Sequence, residues 1–220
     1  MAVADPTLLV ETKIFEGGAL FVIGCDEVGR GAIAGPVAVG MCAIDARVKA
    51  MPPGLRDSKM LSEKRRQELA PLAAAWVAHS AVGLASAEEV DRLGITASLG
   101  LAGKRALTIL HEGGVPILQS VVLLDGHQDW LNPAITTKVA VHTRVKGDRD
   151  CASIAAASVI AKVYRDALMI EADEAEPGYG WSSNKGYGAA THYEAIARLG
   201  PSSIHRLSWL KSSAPTPETA

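Results

Sequence analysis

Carboxylates stand where apolar runs stop. Asp26 and Glu27 end the run FVIGC, Asp125 ends VVLL, and Asp148 follows VAVHTRVKG. Acids gathered at the ends of neighbouring strands repel one another, and a cation is the simplest compensation. An all-oxygen donor set selects hard ions such as Mg²⁺ or Mn²⁺. Taken singly, each acid is more often a turn or helix-cap residue; three such acids together, with one adjacent pair, bring metal chemistry level with that reading. The 6 histidines (His79, His111, His127, His142, His192, His205) form no HxxxH or HxH, so no zinc site is expected. His127, close after Asp125, reads as a loop residue. Cys25, Cys42 and Cys151 form no CxxC, and read as small core residues of a reduced compartment.

The segment after Glu27 offers a second chemistry. Gly29-Arg30-Gly31-Ala32-Ile33-Ala34 matches the dinucleotide pattern GxGxxA behind a strand. Gly35-Pro36 and β-type residues follow it, so no helix N-terminus is available for a pyrophosphate. No Walker sequence occurs either. Gly29-Arg30-Gly31 is better suited to close backbone approach to a ligand.

The elements that must position these residues follow from periodicity and punctuation. Strands are predicted at residues 21–27, 36–44, 80–85, 121–125 and 138–145, and helices at 62–78, 96–111 and 152–172. Ser86 and Glu89 form a capping box opening a short helix that Gly94 closes; Thr191 and Glu194 form another, with Gly200-Pro201 as the stop. The order implies an α/β layered domain with a mixed sheet. With 220 residues, 48% hydrophobic and 21% charged, the chain can bury a core and is not disordered. Its most apolar stretch, 31–44, is interrupted by Gly35, Pro36 and Gly40 and too short for a bilayer. No secretory signal is read at the start, and the two ends look loose. A net charge of -2 does not advertise nucleic acid, although basic residues cluster locally at 56–66 and 181–211.

The motifs GCDEVGRGAIAGPV, DSKMLSEKRR, LLDG, VKGD, IAAASVIAKVYRD, NKGYG, TH and IHRLSW stand in the order and spacing of bacterial ribonuclease HII. The resemblance spans residues 22–210. It implies a ribonuclease H-like mixed β-sheet flanked by helices, with a small C-terminal helical region. The corresponding division is an N-terminal segment 1–20, a catalytic domain 21–176, a helical region 177–210 and a disordered tail 211–220. The short stretch ahead of Asp26 speaks against the related ribonuclease HIII form, which carries an additional N-terminal domain.

By the same resemblance, Asp26, Glu27, Asp125 and Asp148 are the catalytic carboxylates and hold two divalent ions, Mg²⁺ or Mn²⁺. Asp150 and Asp166 compete for the fourth place; Asp148 fits the family's KGD, and Asp166 reads as structural, pairing with Arg165 or Lys162. Gly29, Arg30, Gly31 and Tyr187 would read the ribose 2′-hydroxyl. Asp57, Ser58, Lys59, Lys146 and Lys185 would contact the phosphate backbone. His192 and His205 match family positions with a structural role. The implied activity is cleavage of the RNA strand of RNA–DNA hybrids and nicking 5′ of single ribonucleotides in duplex DNA, leaving 5′-phosphate and 3′-hydroxyl ends. A cytoplasmic monomer is expected, with no membrane association and no apolar–aromatic sliding-clamp motif in the tail.

Overall fold

The computed structural model describes residues 5–210; the tail, 211–220, with the clamp-motif and disorder expectations, lies outside the described residues. The strands are β1 (Phe21–Val28), β2 (Val37–Ile44), β3 (His79–Ala85), β4 (Ser120–Asp125) and β5 (Ala140–Arg144). They form one sheet in the order β3-β2-β1-β4-β5. The β1–β2 and β2–β3 pairs are antiparallel, whereas β1–β4 and β4–β5 are parallel. The expected mixed sheet is thus present.

Helices cover both faces, which explains why β1 and β2 are apolar almost throughout. On one face Ile23, Cys25, Val39, Met41 and Leu124 pack against helix α4 (Ile95–Glu112). On the other, Val22, Cys42, Ile44 and Leu123 meet α2 (Glu63–Trp76) and the long α6 (Ala152–Ala175). Gly24 of β1 lets α6 approach closely: a Cβ there would lie 2.2 Å from the backbone carbon of Ser153. All three cysteines are free and buried. No helix among the described residues is long and apolar enough to cross a membrane.

The Ser86–Glu89 capping box forms in full at the start of α3 (Ala87–Leu93). The one expected at Thr191 does not. Helix α8 (Ala190–Leu199) begins earlier, with Ala189 as a cap lacking a side-chain bond. The amides of His192 and Tyr193 both reach the Ala189 carbonyl, so Thr191 is already inside the helix.

The N-terminal stretch is also not loose from residue 5 onward. It forms α1 (Leu9–Glu16), and the Glu11 carboxylate is fully buried, accepting from the Ser153 amide at 2.9 Å and its hydroxyl at 2.8 Å. Glu11 therefore serves one of the unpaired backbone amides at the start of α6 and a side-chain hydroxyl beside it, a favourable place for a carboxylate. Burial nevertheless pushes its pKa above the ordinary glutamate value.

The C-terminal region comprises α7 (Trp181–Asn184), α8 and a 3₁₀ turn at Leu207–Trp209. It has its own small core, in which Tyr179, Trp181 and Ala195 pack on Ala34 and Met169. It thereby leans on the glycine-rich loop and on the far end of α6.

Candidate active site

Parallel pairing of β1 with β4 brings their carboxyl ends together, with Cys25 opposite Leu124. Alternation puts Asp26 on the Gly24 side of β1 and Asp125 on the Leu123 side of β4, both facing α6. Helix α5 (Gly147–Asp150) brings Asp148 to the same place. Its entry is the left-handed residue Lys146, with φ 60°, and the Gly147 amide donates to Asp125 Oδ1 at 2.7 Å.

The electrostatics follow from this crowding. Asp26 is raised to about 8, first by burial and then by Asp125 and Glu27, with Ser158 and Lys59 opposing. Asp148 is raised to about 6 by burial, Asp125 and Asp57, again against Lys59. Lys59 Nζ lies 3.4 Å from Asp148 Oδ2. Burial disfavours its charge, but Asp26, Asp148 and Asp57 outweigh that and hold its pKa above the ordinary lysine value. The competing acids are engaged elsewhere: Asp150 pairs with Arg144 at 2.7 Å and Asp166 with Lys162 at 2.6 Å.

The DSK segment is built differently from the expectation that all three residues face a phosphate backbone. Asp57 and Ser58 are buried. Asp57 caps a 3₁₀ turn at Ser58–Met60 by accepting from the Lys59 amide at 2.8 Å. The Ser58 hydroxyl is hydrogen-bonded to that of Ser158 at 2.9 Å. Of the three, Lys59 is the exposed one, with 70% of its side chain accessible. Lys185 also departs from expectation. It is buried, its ammonium bonds to the Ser182 carbonyl, and it lies 3.5 Å from Glu63 Oε1. Lys146 is exposed.

Two buried arginines that sequence reasoning missed hold the loop after β1. Arg206 donates to the carbonyls of Gly29 at 2.8 Å, Arg30 at 3.1 Å and Gly35 at 3.1 Å. Arg165 donates to Pro36, Lys185 and Ala34. Gly29 has φ 79°, and a Cβ there would lie 2.0 Å from Arg165 Nε. The amides of Ile33 and Ala34 bond to the Gly186 carbonyl, so the 29–31 turn and Tyr187 are joined through backbone. The Tyr187 ring lies over Arg165 at 5.5 Å and is 37% exposed. Arg30 reaches back to Glu27 at 3.2 Å. A signal for Arg165 was present: Ile154, Ser158, Ala161, Arg165 and Met169 follow helical spacing, and all are buried.

The ribonuclease HII family model matches residues 23–212. The ribonuclease HII of Streptomyces avermitilis is 45% identical over 210 residues, covering 95% of this chain and 85% of its own. Among solved structures, the ribonuclease HII in complex with PCNA from Archaeoglobus fulgidus superposes with a TM-score of 0.65 at 27% identity, covering 87% of this chain and 96% of that one. The Bst ribonuclease HIII in complex with Mn²⁺ superposes with a TM-score of 0.66 at 25% identity, covering 91% of this chain and 68% of that one. Carboxylates clustered at the ends of parallel strands, on a sheet of this order, agree with these matches: the chain belongs to the ribonuclease HII family and is a metal-dependent ribonuclease H.

Proposed function

We propose that this enzyme hydrolyses the RNA strand of RNA–DNA hybrids and nicks on the 5′ side of single ribonucleotides embedded in duplex DNA, leaving 5′-phosphate and 3′-hydroxyl ends. The observation that carries the reading is the shared face of Asp26 and Asp125, with Asp148 beside them.

The donor chemistry fits a divalent ion. Asp26, Glu27, Asp125 and Asp148 offer oxygen alone, and burial together with neighbouring carboxylates disfavours the charged forms of Asp26 and Asp148, which a cation relieves. Among the described residues, no three acids, histidines or cysteines are gathered tightly enough to enclose an ion by themselves. Mg²⁺ sites of this type are ordinarily completed by substrate phosphate oxygens. Two bound ions, Mg²⁺ or Mn²⁺, would supply an activated water and charge neutralisation at the departing 3′ oxygen.

The chain's own groups do the rest. Asp26, Glu27, Asp125 and Asp148 fix the metal positions, and Gly147 N–H keeps Asp125 oriented. Lys59 offers positive charge to the scissile phosphate from beside Asp148, and Lys146 to a neighbouring one. Backbone groups of Gly29, Arg30 and Gly31 meet the 2′-hydroxyl, while the Tyr187 hydroxyl bonds to it and its ring packs on the sugar. On this reading the enzyme works as a monomer in the cytoplasm.

The test is cleavage of a labelled DNA duplex containing one ribonucleotide, beside an all-DNA duplex, with Mg²⁺, Mn²⁺ or chelator. A metal-dependent nick 5′ of the ribonucleotide, absent from all-DNA, is the expected result. No nick with either ion, in folded protein, overturns the reading in favour of silent hybrid binding through the same surface.

A further inference from the structure

His192 is fully buried, and its two ring nitrogens have different tasks. Nδ1 lies 2.9 Å from the Tyr187 carbonyl oxygen. A carbonyl only accepts, so Nδ1 carries the proton. Nε2 then accepts, and Trp181 Nε1–H donates to it at 3.0 Å. The same Nε2 lies 3.1 Å from Nε2 of His205. That second ring is fixed from its far side, because His205 Nδ1 accepts from the Ser202 amide at 2.8 Å. Its proton therefore sits on Nε2 and points at His192. With both rings neutral and one tautomer each, the single lone pair of His192 Nε2 is shared between Trp181 Nε1–H and His205 Nε2–H.

The surroundings keep the rings neutral. Burial lowers the pKa of both, and for His205 the neighbouring His192 adds to it. Tyr179 stacks on Trp181 at 4.7 Å and lies edge-on to His205 at 4.9 Å, walling the pair off. The nearby carboxylate of Glu176 is taken up by the Ser202 hydroxyl at 2.5 Å.

The pair joins the two segments assigned to the ribose. On one side His192 holds the Tyr187 carbonyl. On the other, His205 forms an isolated bridge with Ala34, and the next residue, Arg206, grips the carbonyls of Gly29 and Arg30. We propose that His192 and His205 are positioning residues for ribonucleotide recognition, a neutral pair of fixed tautomers that sets the spacing between the 29–31 turn and the Tyr187 ring. This rests on the reading of Tyr187 and that turn as the ribose contacts.

The experiment measures kcat and KM on the single-ribonucleotide duplex for the full chain and for Tyr187→Phe, His192→Phe and His192→Asn. Asn retains a donor near the place of Nδ1, whereas Phe retains none. His192→Phe is expected to lower kcat about tenfold, since small misplacement is costly in catalysis. KM should change by less than about twofold, because the phosphate contacts persist. His192→Asn should recover most of the loss. Wild-type kcat in His192→Phe, or equal loss in Phe and Asn variants, overturns the proposal. Long-range ¹H–¹⁵N spectra of the wild-type imidazoles provide a test that needs no variant to fold. They should show the Nδ1–H form of His192 and the Nε2–H form of His205; the opposite tautomer in either ring overturns the proposal. An unchanged kcat in Tyr187→Phe instead removes the ribose reading beneath it, so the two failures are distinguishable.

Discussion

Replacing Arg165 by Met tests how the loop after β1 is held. The guanidinium is fully buried and no carboxylate is bonded to it; the adjacent Asp166 is occupied by Lys162. Its charge is instead met by backbone dipoles, the carbonyls of Pro36 at 2.8 Å, Lys185 at 2.8 Å and Ala34 at 3.1 Å. Met fills similar volume and donates nothing. Each orphaned buried carbonyl costs about 1–3 kcal/mol. Relief of the guanidinium's own burial penalty, which pulls its pKa below the ordinary arginine value, returns part of that. A net loss of about 3 kcal/mol is expected, a large share of the roughly 5–15 kcal/mol of a typical domain. Arg165→Lys keeps the charge but cannot fork toward three carbonyls, and should fall between the two. The assay is urea unfolding, with the denaturant slope checked for constancy. A Met variant within about 1 kcal/mol of wild type at unchanged slope would refute the claim that these carbonyls depend on Arg165.

Asp125→Asn should abolish turnover yet leave the circular dichroism spectrum intact, because Asn Oδ1 can still accept from the Gly147 amide; substantial residual cleavage would count against its metal role. Gly24→Ala puts a methyl group 2.2 Å from α6 backbone, which cannot swing away as a side chain could, and should cost about 3 kcal/mol or more in urea unfolding. Lys59→Met removes the cation that opposes the rise at Asp148, so ¹³C titration of the metal-free protein should find that carboxyl higher in the variant than in the wild type. Glu89 is lowered to about 2, chiefly by its hydrogen bonds to Arg105. A depressed carboxylate stabilises the fold above its unfolded pKa of about 4.3 and loses that as pH falls through the folded value. Discounted for exposure, Glu89→Gln should cost about 0.5–1 kcal/mol at pH 7 and little of that near pH 2; an equal deficit at both would sink the assignment.

What could be read from the chain divides along physical lines. Strands buried on both faces leave continuous apolar runs, so β1, β2 and β4 were legible within a residue or so. The acids at their ends were legible for the same reason, as polar residues closing apolar runs. Their meeting in space was not, since it depends on β4 inserting beside β1 in parallel rather than on any local pattern. The Ser86 capping box is a wholly local device and formed; the Thr191 pattern matched equally well but was overridden by a turn that delivers His192 to the Tyr187 carbonyl. Lys59 meets Asp148 across 89 positions, and no spacing rule spans that distance. Arg165 was hidden by its type rather than its spacing, because arginine is rarely fully buried.

Those buried arginines also bear on why a ribose reader would be built from glycines. A 2′-hydroxyl is a small target, and a side chain with free rotamers would meet it in several geometries. Backbone groups have no rotamers, but a glycine-rich loop is the most permissive backbone there is. Arg165 and Arg206 remove that freedom from inside, each gripping several carbonyls of residues 29–36 through a planar, rigid fork. The carbonyls of Gly29 and Arg30 are thereby turned inward to Arg206. Of that turn's backbone, what is left for a ligand is chiefly its N–H groups, which can only donate. A hydroxyl approaching them must accept, and its own proton is then free for a second partner such as Tyr187. A deoxyribose offers neither half of that exchange, so on the proposed reading the fixed turn would have nothing to bind at a deoxynucleotide.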